Sequence, residues 1–243
     1  MNEFSISLIQ IGPDAANPSE RLRELADAIP PGTDAILLPE SWAGSSPEES
    51  VPCLESLSGV CADRCSFAVS GGMPWDDGGR NVMRTWMLDD MGKNFAYYDK
   101  AHLSSKKGED KKYSPGKGAR IFNIGEAVCA AISGYDMLFP EFCRQISLAG
   151  VQVFFVSANR DEEFAHIWEP LLQSVAFTNQ CFIAACSGAG DSAVISPRGE
   201  IMPVMERGEG VTAVSIKLYE AANCRKNIPL ERDRRGEIYA LFP

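Results

Sequence analysis

Short apolar strands alternate with amphipathic helices along almost the whole chain, and this alternation limits the fold class more than any other feature. Phe4–Gln10 alternates polar and apolar residues as a strand does, and Ala35–Leu38 is a short apolar run typical of a buried strand. Between them, Leu22–Ile29 carries apolar residues at helical spacing. Because helices that connect strands cover the faces of a sheet, the pattern predicts an α/β domain.

The same alternation continues to the end of the chain. Further strands are predicted at Ser66–Gly71, Val82–Leu88, Asn94–Tyr98, Ile121–Ile124, Ala127–Ser133, Val153–Ser157, Phe182–Ala185, Ser192–Ile195 and Val211–Ile216. Helices are predicted after an Asn17 cap, over Glu48–Arg64, after Pro140 and over His166–Thr178, with a polar loop at 104–112. No linker or repeat of fixed period interrupts the 243 residues, so we expect one domain spanning 1–243.

The charge balance excludes some classes of partner. Lys and Arg number 23 and Asp and Glu number 33, which gives a formal net charge of −10. An acidic surface neither neutralises nucleic-acid phosphates nor attracts anionic membranes. The first ten residues have no basic region before their apolar stretch, and the longest apolar runs fall far short of the ~20 residues that span a bilayer. The sequence therefore predicts a cytoplasmic protein with no nucleic-acid or membrane partner.

The eight cysteines lie mostly in apolar segments, where a free thiol packs as a small hydrophobic group. Disulfides are not expected in a cytoplasmic chain. Cys61 and Cys65 are four residues apart, but no histidine pattern completes a zinc site, so we expect neither a metal nor another cofactor. The only histidines are His102 and His166, which gives little support to a Cys-His or Ser-His triad.

Three predicted strands end at residues with a possible role in chemistry: Glu40, Lys100 and Gly134. Ligands of α/β sheets gather at the carboxyl ends of strands, so these positions are expected to converge. A carboxylate can accept the proton of a nucleophile, and an ammonium can stabilise an oxyanion. Taken singly, Glu40 fits a turn cap, Lys100 and Glu109 fit solvated side chains, and a glycine fits a turn that needs backbone freedom.

Three segments, in this order, resemble the motifs of the nitrilase superfamily of carbon–nitrogen hydrolases. They are Leu37-Leu38-Pro39-Glu40, Tyr98-Asp99-Lys100-Ala101-His102-Leu103 and Tyr135-Asp136-Met137-Leu138-Phe139-Pro140-Glu141. The resemblance extends over nearly the whole chain, through Asn81, Tyr113–Gly116, Ser192–Gly199 and Pro229–Tyr239. Several motifs at matching spacing are far more specific than any one of them.

The resemblance implies a four-layer α-β-β-α sandwich with a C-terminal arm over about 221–243, usually assembled as a homodimer. It implies that Glu40 is the general base, that Lys100 stabilises the oxyanion and that Glu109 positions the substrate and the lysine. It places Tyr135 and Asn159 in the substrate-binding region. The sequence is also similar to omega-amidase-like members, which implies a small amide, including amides of dicarboxylic acids, as the substrate class.

The chain departs from the pattern at the nucleophile. Aligned on Tyr135 and Asp136, the family's catalytic cysteine falls on Gly134, so the usual thioester cannot form. Since neighbouring strand residues point to opposite faces, Ser133 is expected to point away from the pocket unless the turn re-aims it. Re-aimed in this way, Ser133 is the alternative nucleophile, although its alcohol is far weaker than a thiolate at neutral pH. Cys129 and Cys143 are expected to pack in the core. The family's Asn-Trp-Pro is replaced by 158–160, and 175–179 lacks the family's Arg and Glu.

Three functions follow from these observations. The first is an amidase fold that has lost its nucleophile and is inactive or nearly so, in which a cysteine at position 134 is expected to restore hydrolysis of small amides. The second is a non-catalytic sensor that binds a small amide or carboxylate. The third is an interaction protein that uses only its dimer face.

Overall fold

The structure is a computed structural model that describes residues 3–159, 162–188, 190–202, 205 and 208–239. The strands are β1 (Glu3–Gln10), β2 (Ala35–Leu37), β3 (Phe67–Asp76), β4 (Asn81–Leu88), β5 (Asn94–Asp99), β6 (Arg120–Ile124), β7 (Ala127–Ser133), β8 (Val153–Ala158), β9 (Phe182–Ser187), β10 (Ala193–Ile195) and β11 (Gly210–Lys217). The helices are α1 (Pro18–Ala26), α2 (Pro47–Arg64), α3 (Glu109–Lys112), α4 (Pro140–Leu148), α5 (Ala165–Asn179), α6 (Tyr219–Asn227), α7 (Leu230–Asp233) and α8 (Gly236–Tyr239), with 3₁₀ turns at Tyr135–Leu138 and Glu162–Phe164.

The strands form two sheets. The first has the order β11-β1-β2-β3-β4-β5, and the second has the order β10-β9-β8-β7-β6. In each sheet the central strands run parallel and the outer strands pair antiparallel. The ends of β2, β7 and β8, where parallel pairs stop, therefore lie where α/β sheets collect ligands.

Three hydrophobic clusters separate four layers. One lies between the sheets and includes Leu8 and Leu37 from the first sheet and Phe155 and Phe182 from the second. Another packs α1 and α2 on the outer face of the first sheet, and the third packs α4 and α5 on the outer face of the second. A sheet with both faces buried needs such cover on each side. The predicted α-β-β-α sandwich is confirmed.

The structure corrects three local predictions. β3 does not stop at Gly71 but continues to Asp76. The pairing with β4 shifts register between Val69 and Gly72, and this irregularity accommodates the glycines within the strand. The predicted loop at 104–112 contains the one-turn helix α3. Asn17 precedes α1 as predicted but makes no side-chain cap, since its φ of 53° places it in the left-handed region that asparagine tolerates.

The beginning of the predicted C-terminal arm packs on the body of the domain. Ala221 on α6 belongs to the core between the sheets, and the Gln180 side chain donates to the Ile228 carbonyl at 2.6 Å. In α7 and α8, by contrast, no residue is buried. Within the described residues, no helix combines the length and the apolar character that a bilayer crossing requires.

Candidate active site

Three strand ends meet at one place between the sheets, and two of them carry ionisable side chains. Glu40 follows β2, Lys100 follows β5 and Gly134 follows β7. The Lys100 Nζ lies 2.9 Å from Glu40 Oε1 and 2.9 Å from Glu109 Oε1, and all three side chains are buried. The structure thus brings together the three charged residues predicted from the sequence.

The backbone around Glu40 is held in an uncommon conformation. Ser41 has a φ of 65°, and its N–H donates to the Gly72 carbonyl at 2.7 Å. The Glu40 N–H reaches across to the second sheet and donates to the Ala158 carbonyl at 3.2 Å. Gly71 has a φ of 74°, and a Cβ there would lie 1.9 Å from the Pro39 carbonyl oxygen. Only glycine fits at position 71, because any side chain there would clash with the turn that carries Glu40.

Lys100 and Glu109 are fixed by hydrogen bonds on both sides. The Lys100 N–H donates to Met83 O at 2.9 Å, and the second carboxylate oxygen of Glu109 accepts from Ser104 N at 2.8 Å. Burial alone would lower the pKa of Lys100, but Glu40 and Glu109 outweigh it and raise the pKa above its ordinary value. The ammonium therefore stays charged, with two of its three protons used by the carboxylates.

The structure contradicts the expectation that Ser133 points away from the pocket. Its hydroxyl lies on the side of Glu40 and donates to Glu40 Oε2 at 2.6 Å, and only 4% of the residue is exposed. It is the last residue of β7, on the strand face that meets the other sheet, so no re-aiming by the turn is needed. We call Glu40, Lys100, Glu109 and Ser133 the charged cluster.

Gly134 faces a different environment. Its φ of −57° and ψ of −32° suit any residue, so the need for backbone freedom expected from the sequence does not explain this glycine. A Cβ at this position would lie 2.7 Å from Ala158 Cβ and 3.4 Å from the Trp168 ring. The glycine is explained by space, because β7 and β8 end too close together for a side chain. A side chain at 134 would first meet Ala158 and Trp168 and not the charged cluster.

A cavity of about 50 Å³ opens beside the charged cluster. Glu40, Lys100, Glu109 and Gly134 line one side, and both predicted substrate-binding residues, Tyr135 and Asn159, line it as well. The rest is mainly apolar. We call this part the apolar wall, which consists of Leu138, Ala158, Phe164, Ile167, Trp168 and Leu171.

Two lysines near the cavity are not indicated by the sequence, because the charged segment 104–112 is typical of a solvated loop. Lys107 also lines the cavity, and its ammonium donates to the Asn159 carbonyl at 2.8 Å. Lys106 pairs with Glu163 and lies 5.5 Å from the Phe164 ring. These contacts join the loop before α3 to the segment before α5. Arg160, one of the noted departures from the family pattern, lies outside the described residues.

A second buried cluster shapes the turn after β7. Asp136 is fully buried and accepts from the Tyr98 hydroxyl, from Ser133 N at 2.9 Å and from His102 N at 3.0 Å. The His102 ring lies 2.7 Å from the same carboxylate and stacks on Phe139 at 3.7 Å. Burial, reinforced by Asp136, raises the pKa of Tyr98 well above its usual value, so the phenol remains a donor. These bonds hold Ser133 in place through its backbone.

The two cysteines that flank the turn in sequence lie in the core, as predicted. Cys129 on β7 and Cys143 on α4 are fully buried, and burial raises the pKa of each to about 12. A thiol in this state does not supply a thiolate at neutral pH. Within the described residues there is no group of three or more His, Cys, Asp or Glu side chains arranged to hold a metal ion.

Comparison with known proteins agrees with this arrangement. The sequence profile of the carbon-nitrogen hydrolase family matches residues 5–226. The chain therefore belongs to the carbon-nitrogen hydrolase family, the class that its fold and its Glu-Lys-Glu arrangement indicate.

Two curated relatives that the chain resembles are named as amidases. The chain is 26% identical to 2-oxoglutaramate amidase of Bacillus subtilis, with 98% of this chain and 100% of the relative covered. It is 27% identical to the human omega-amidase NIT2, with 99% and 98% covered. Among solved structures, the CN-hydrolase superfamily protein XC1258 of Xanthomonas campestris superposes with a TM-score of 0.88 at 23% identity, over 97% of this chain and 98% of that one.

Proposed function

We propose that this chain binds a small neutral amide at the charged cluster and does not hydrolyse it by a thioester route. The proposal combines its membership of an amidase-containing family with the one observation that carries it, the close contact of Gly134 with Ala158. Because a Cβ at 134 would lie 2.7 Å from Ala158 Cβ, the position that aligns with the family cysteine has neither a thiol nor room for one. On this proposal the chain is inactive or nearly so as an amidase.

The charges favour a neutral carbonyl compound over a carboxylate. Glu40 and Glu109 bring two negative charges and Lys100 one positive charge, which leaves one net negative charge at this side of the cavity. A carboxylate placed there would be repelled, whereas an amide carbonyl can accept the third proton of Lys100. The amide N–H₂ group can donate to the carboxylate oxygens.

The size and the lining of the cavity favour a short aliphatic chain. One water needs roughly 10–15 Å³ of cavity volume, so the space of about 50 Å³ beside the apolar wall holds only a few heavy atoms. Glu40, Lys107, Glu109 and Asn159 also line a wider opening of about 840 Å³. The apolar wall itself carries no charge that could pair with a second carboxylate of the ligand, and the Lys107 ammonium, which also lines the cavity, already donates to the Asn159 carbonyl. The relatives named as 2-oxoglutaramate amidase and omega-amidase support an amide as the reactive group. For this chain we propose propionamide and butyramide as better fits than succinamate.

Ligand binding tests the proposal directly. Propionamide, butyramide, succinamate and butyrate are added to the full-length protein, and the shift in melting temperature is measured together with ammonia release. We expect the two neutral amides to raise the melting temperature without releasing ammonia, since a ligand of the folded state stabilises it. Rapid ammonia release from an amide by the unchanged protein would refute the proposal, as would the absence of any shift with all four compounds.

A matched pair of variants locates the binding site. Ile167 lines the cavity and is 45% exposed, whereas Ile121 on β6 is 39% exposed and does not line it. Ile167→Asn is expected to reduce the amide-induced shift, and Ile121→Asn is expected to leave it unchanged. Equal effects of the two substitutions would place the ligand elsewhere.

We also propose that the chain forms the homodimer that the sequence resemblance implies. Leu138, Ile167 and Phe177 are exposed apolar residues near or on α5, and such residues favour burial against another surface. Light scattering after size exclusion tests this, and a monomeric mass at micromolar concentration would refute it.

A further inference from the structure

Ser133 continues a face of β7 that points between the two sheets. Cys129 and Ala131, two and four residues earlier on the same strand, belong to the core cluster that both sheets share. The side chains of residues 129, 131 and 133 therefore lie on one face, since a strand has a period of two. At the end of this face the apolar contacts stop, and the Ser133 hydroxyl lies 2.6 Å from the Glu40 carboxylate.

Glu40 connects this hydroxyl to the ammonium of Lys100. Its Oε2 atom accepts from Ser133 and its Oε1 atom accepts from Lys100 at 2.9 Å. An alcohol, a carboxylate that can accept its proton, and a fixed positive charge next to that carboxylate are the groups that a nucleophilic acyl transfer requires.

Ser133 is 4% exposed and does not itself line the cavity, but two residues next to its hydroxyl do. Gly134 follows Ser133 in sequence and Glu40 contacts it in space, and both residues line the cavity. A carbonyl compound that contacts Glu40 and Gly134 in the cavity is therefore expected to lie next to the Ser133 hydroxyl. Two further hydrogen bonds fix Ser133. Its hydroxyl oxygen accepts from Tyr135 N at 3.3 Å, and its backbone N–H donates to the Asp136 carboxylate.

We propose that Ser133 is a nucleophile in its own right and takes an acyl group from small esters and thioesters. This inference rests on the proposed function, because it uses the same cavity for the carbonyl compound. The acyl transfer would use the Ser133 alcohol, one residue before Gly134, the position that aligns with the family cysteine.

The step balances as follows for an ester. The Ser133 Oγ forms a bond to the carbonyl carbon while its proton moves to Glu40 Oε2, and the carbonyl oxygen becomes an oxyanion next to the Lys100 ammonium. The bond from carbon to the leaving oxygen then breaks, and the leaving oxygen takes the electron pair and the proton from Glu40. The products are an acyl-Ser133 ester and a free alcohol. Water attacks the acyl ester in the same manner and releases the carboxylic acid, which regenerates the serine and the carboxylate.

The chemistry favours esters and thioesters over amides. A carboxylate is a weaker base than the imidazole that usually activates a serine, so little alkoxide character develops at Ser133. A leaving group that departs easily makes up for a weak nucleophile, whereas an amide nitrogen does not leave without being protonated. The inference is thus compatible with a chain that binds small amides without hydrolysing them.

The test uses p-nitrophenyl butyrate, whose acyl chain matches the proposed amides. The full-length protein is mixed with the ester and quenched in acid, and intact mass and peptide mapping locate the butyryl group, while p-nitrophenolate release gives the rate. We expect one butyryl group per chain on Ser133. Ser133→Ala is expected to lower release above the solution background by roughly 100-fold, the scale of a lost nucleophile–base pair.

Ser157 supplies the matched control. It pairs in register with Ser133 on the neighbouring strand β8, and among the described residues its buried hydroxyl has no hydrogen-bond partner. Ser157→Ala is expected to leave both the butyrylation and the release rate unchanged, which separates loss of the nucleophile from loss of a buried hydroxyl.

Several results would overturn the inference. They are butyrylation of another residue, equal release by the unchanged protein and Ser133→Ala, and the absence of both an adduct and Ser133-dependent release. If Ser133→Ala does not fold, peptide mapping of the unchanged protein still decides. The proposed function fails separately, because amide-induced stabilisation is measured without the ester. Amide binding without acylation of Ser133 would refute this inference and leave the proposed function standing.

Discussion

The end of β7 has two sides with opposite chemistry. On one side, the Ser133 hydroxyl contacts Glu40 within a buried cluster of two carboxylates and an ammonium. On the other side, Gly134 lies against Ala158 and Trp168, with no space for a side chain. One residue along the strand therefore separates a polar environment from an apolar one. An alignment can identify which residue type is missing, but the face of the strand decides which residue meets the charged cluster.

The two sides also differ in how they stabilise the fold. The apolar side is closed by direct contact between the ends of β7 and β8. The polar side keeps charges that are costly to bury, and its stability depends on each charge having its partners. Substitutions on the polar side are therefore expected to have the larger effects.

The largest effect is expected from Lys100→Met. This substitution leaves Glu40 and Glu109 buried near each other without a counter-charge, and breaking a buried pair in this way costs about 3–5 kcal/mol. The free energy of unfolding in urea measures the loss. Lys107→Met at the exposed rim is the control, with an expected change within about 1 kcal/mol. Similar losses in the two variants would show that the charged cluster is not the stabilising unit described here.

Gly134→Ala tests the apolar side. The added Cβ meets Ala158 Cβ, whose position is fixed by the backbone of β8, and overpacking of this kind costs about 1–3 kcal/mol. Adding Ala158→Gly makes room, so the double variant is expected to recover part of the loss. A double-mutant cycle from urea unfolding gives the coupling between the two positions. A Gly134→Ala variant as stable as the unchanged protein would contradict the contact.

Cys129→Ala tests whether the polar character of the Ser133 face is confined to the end of the strand. Burial raises the pKa of Cys129 from 9.0 to about 12, so the unfolded chain loses this proton first. The stabilisation from the neutral thiol is complete below pH 9 and is lost as the pH rises towards 12. Between pH 9 and 10.5 the variant is therefore expected to lose about 1–2 kcal/mol less stability than the unchanged protein.

Urea unfolding across this pH range measures the difference. Cys65→Ala, which removes the exposed cysteine, is measured alongside as the control for loss of a thiol. If Cys129→Ala and the unchanged protein have the same slope, Cys129 is in contact with polar or charged groups and the contrast along β7 is not as described.

The sequence predicted the layers and the charged residues of the site because both depend on local patterns. Strand periodicity located β7, and the motifs around Glu40 and Lys100 located the ends of β2 and β5. The sequence did not predict the direction of Ser133, because an alignment on Tyr135 gives Gly134 as the residue that faces the pocket, whereas the packing of Cys129 and Ala131 determines the strand face. The Gly134–Ala158 contact was also missed, since it depends on how closely two strands end in space.

The most direct test of the central claim moves one thiol between the two sides. Ser133→Cys is compared with Gly134→Cys combined with Ala158→Gly, which provides the room that a side chain at 134 needs, and ammonia release from butyramide is measured for both. Because a thiol is a far better nucleophile than an alcohol, the side that faces Glu40 and Lys100 should gain amidase activity. The account predicts activity for Ser133→Cys and none for the variant with cysteine at 134. Hydrolysis by the latter, with Ser133→Cys folded and inert, would contradict it.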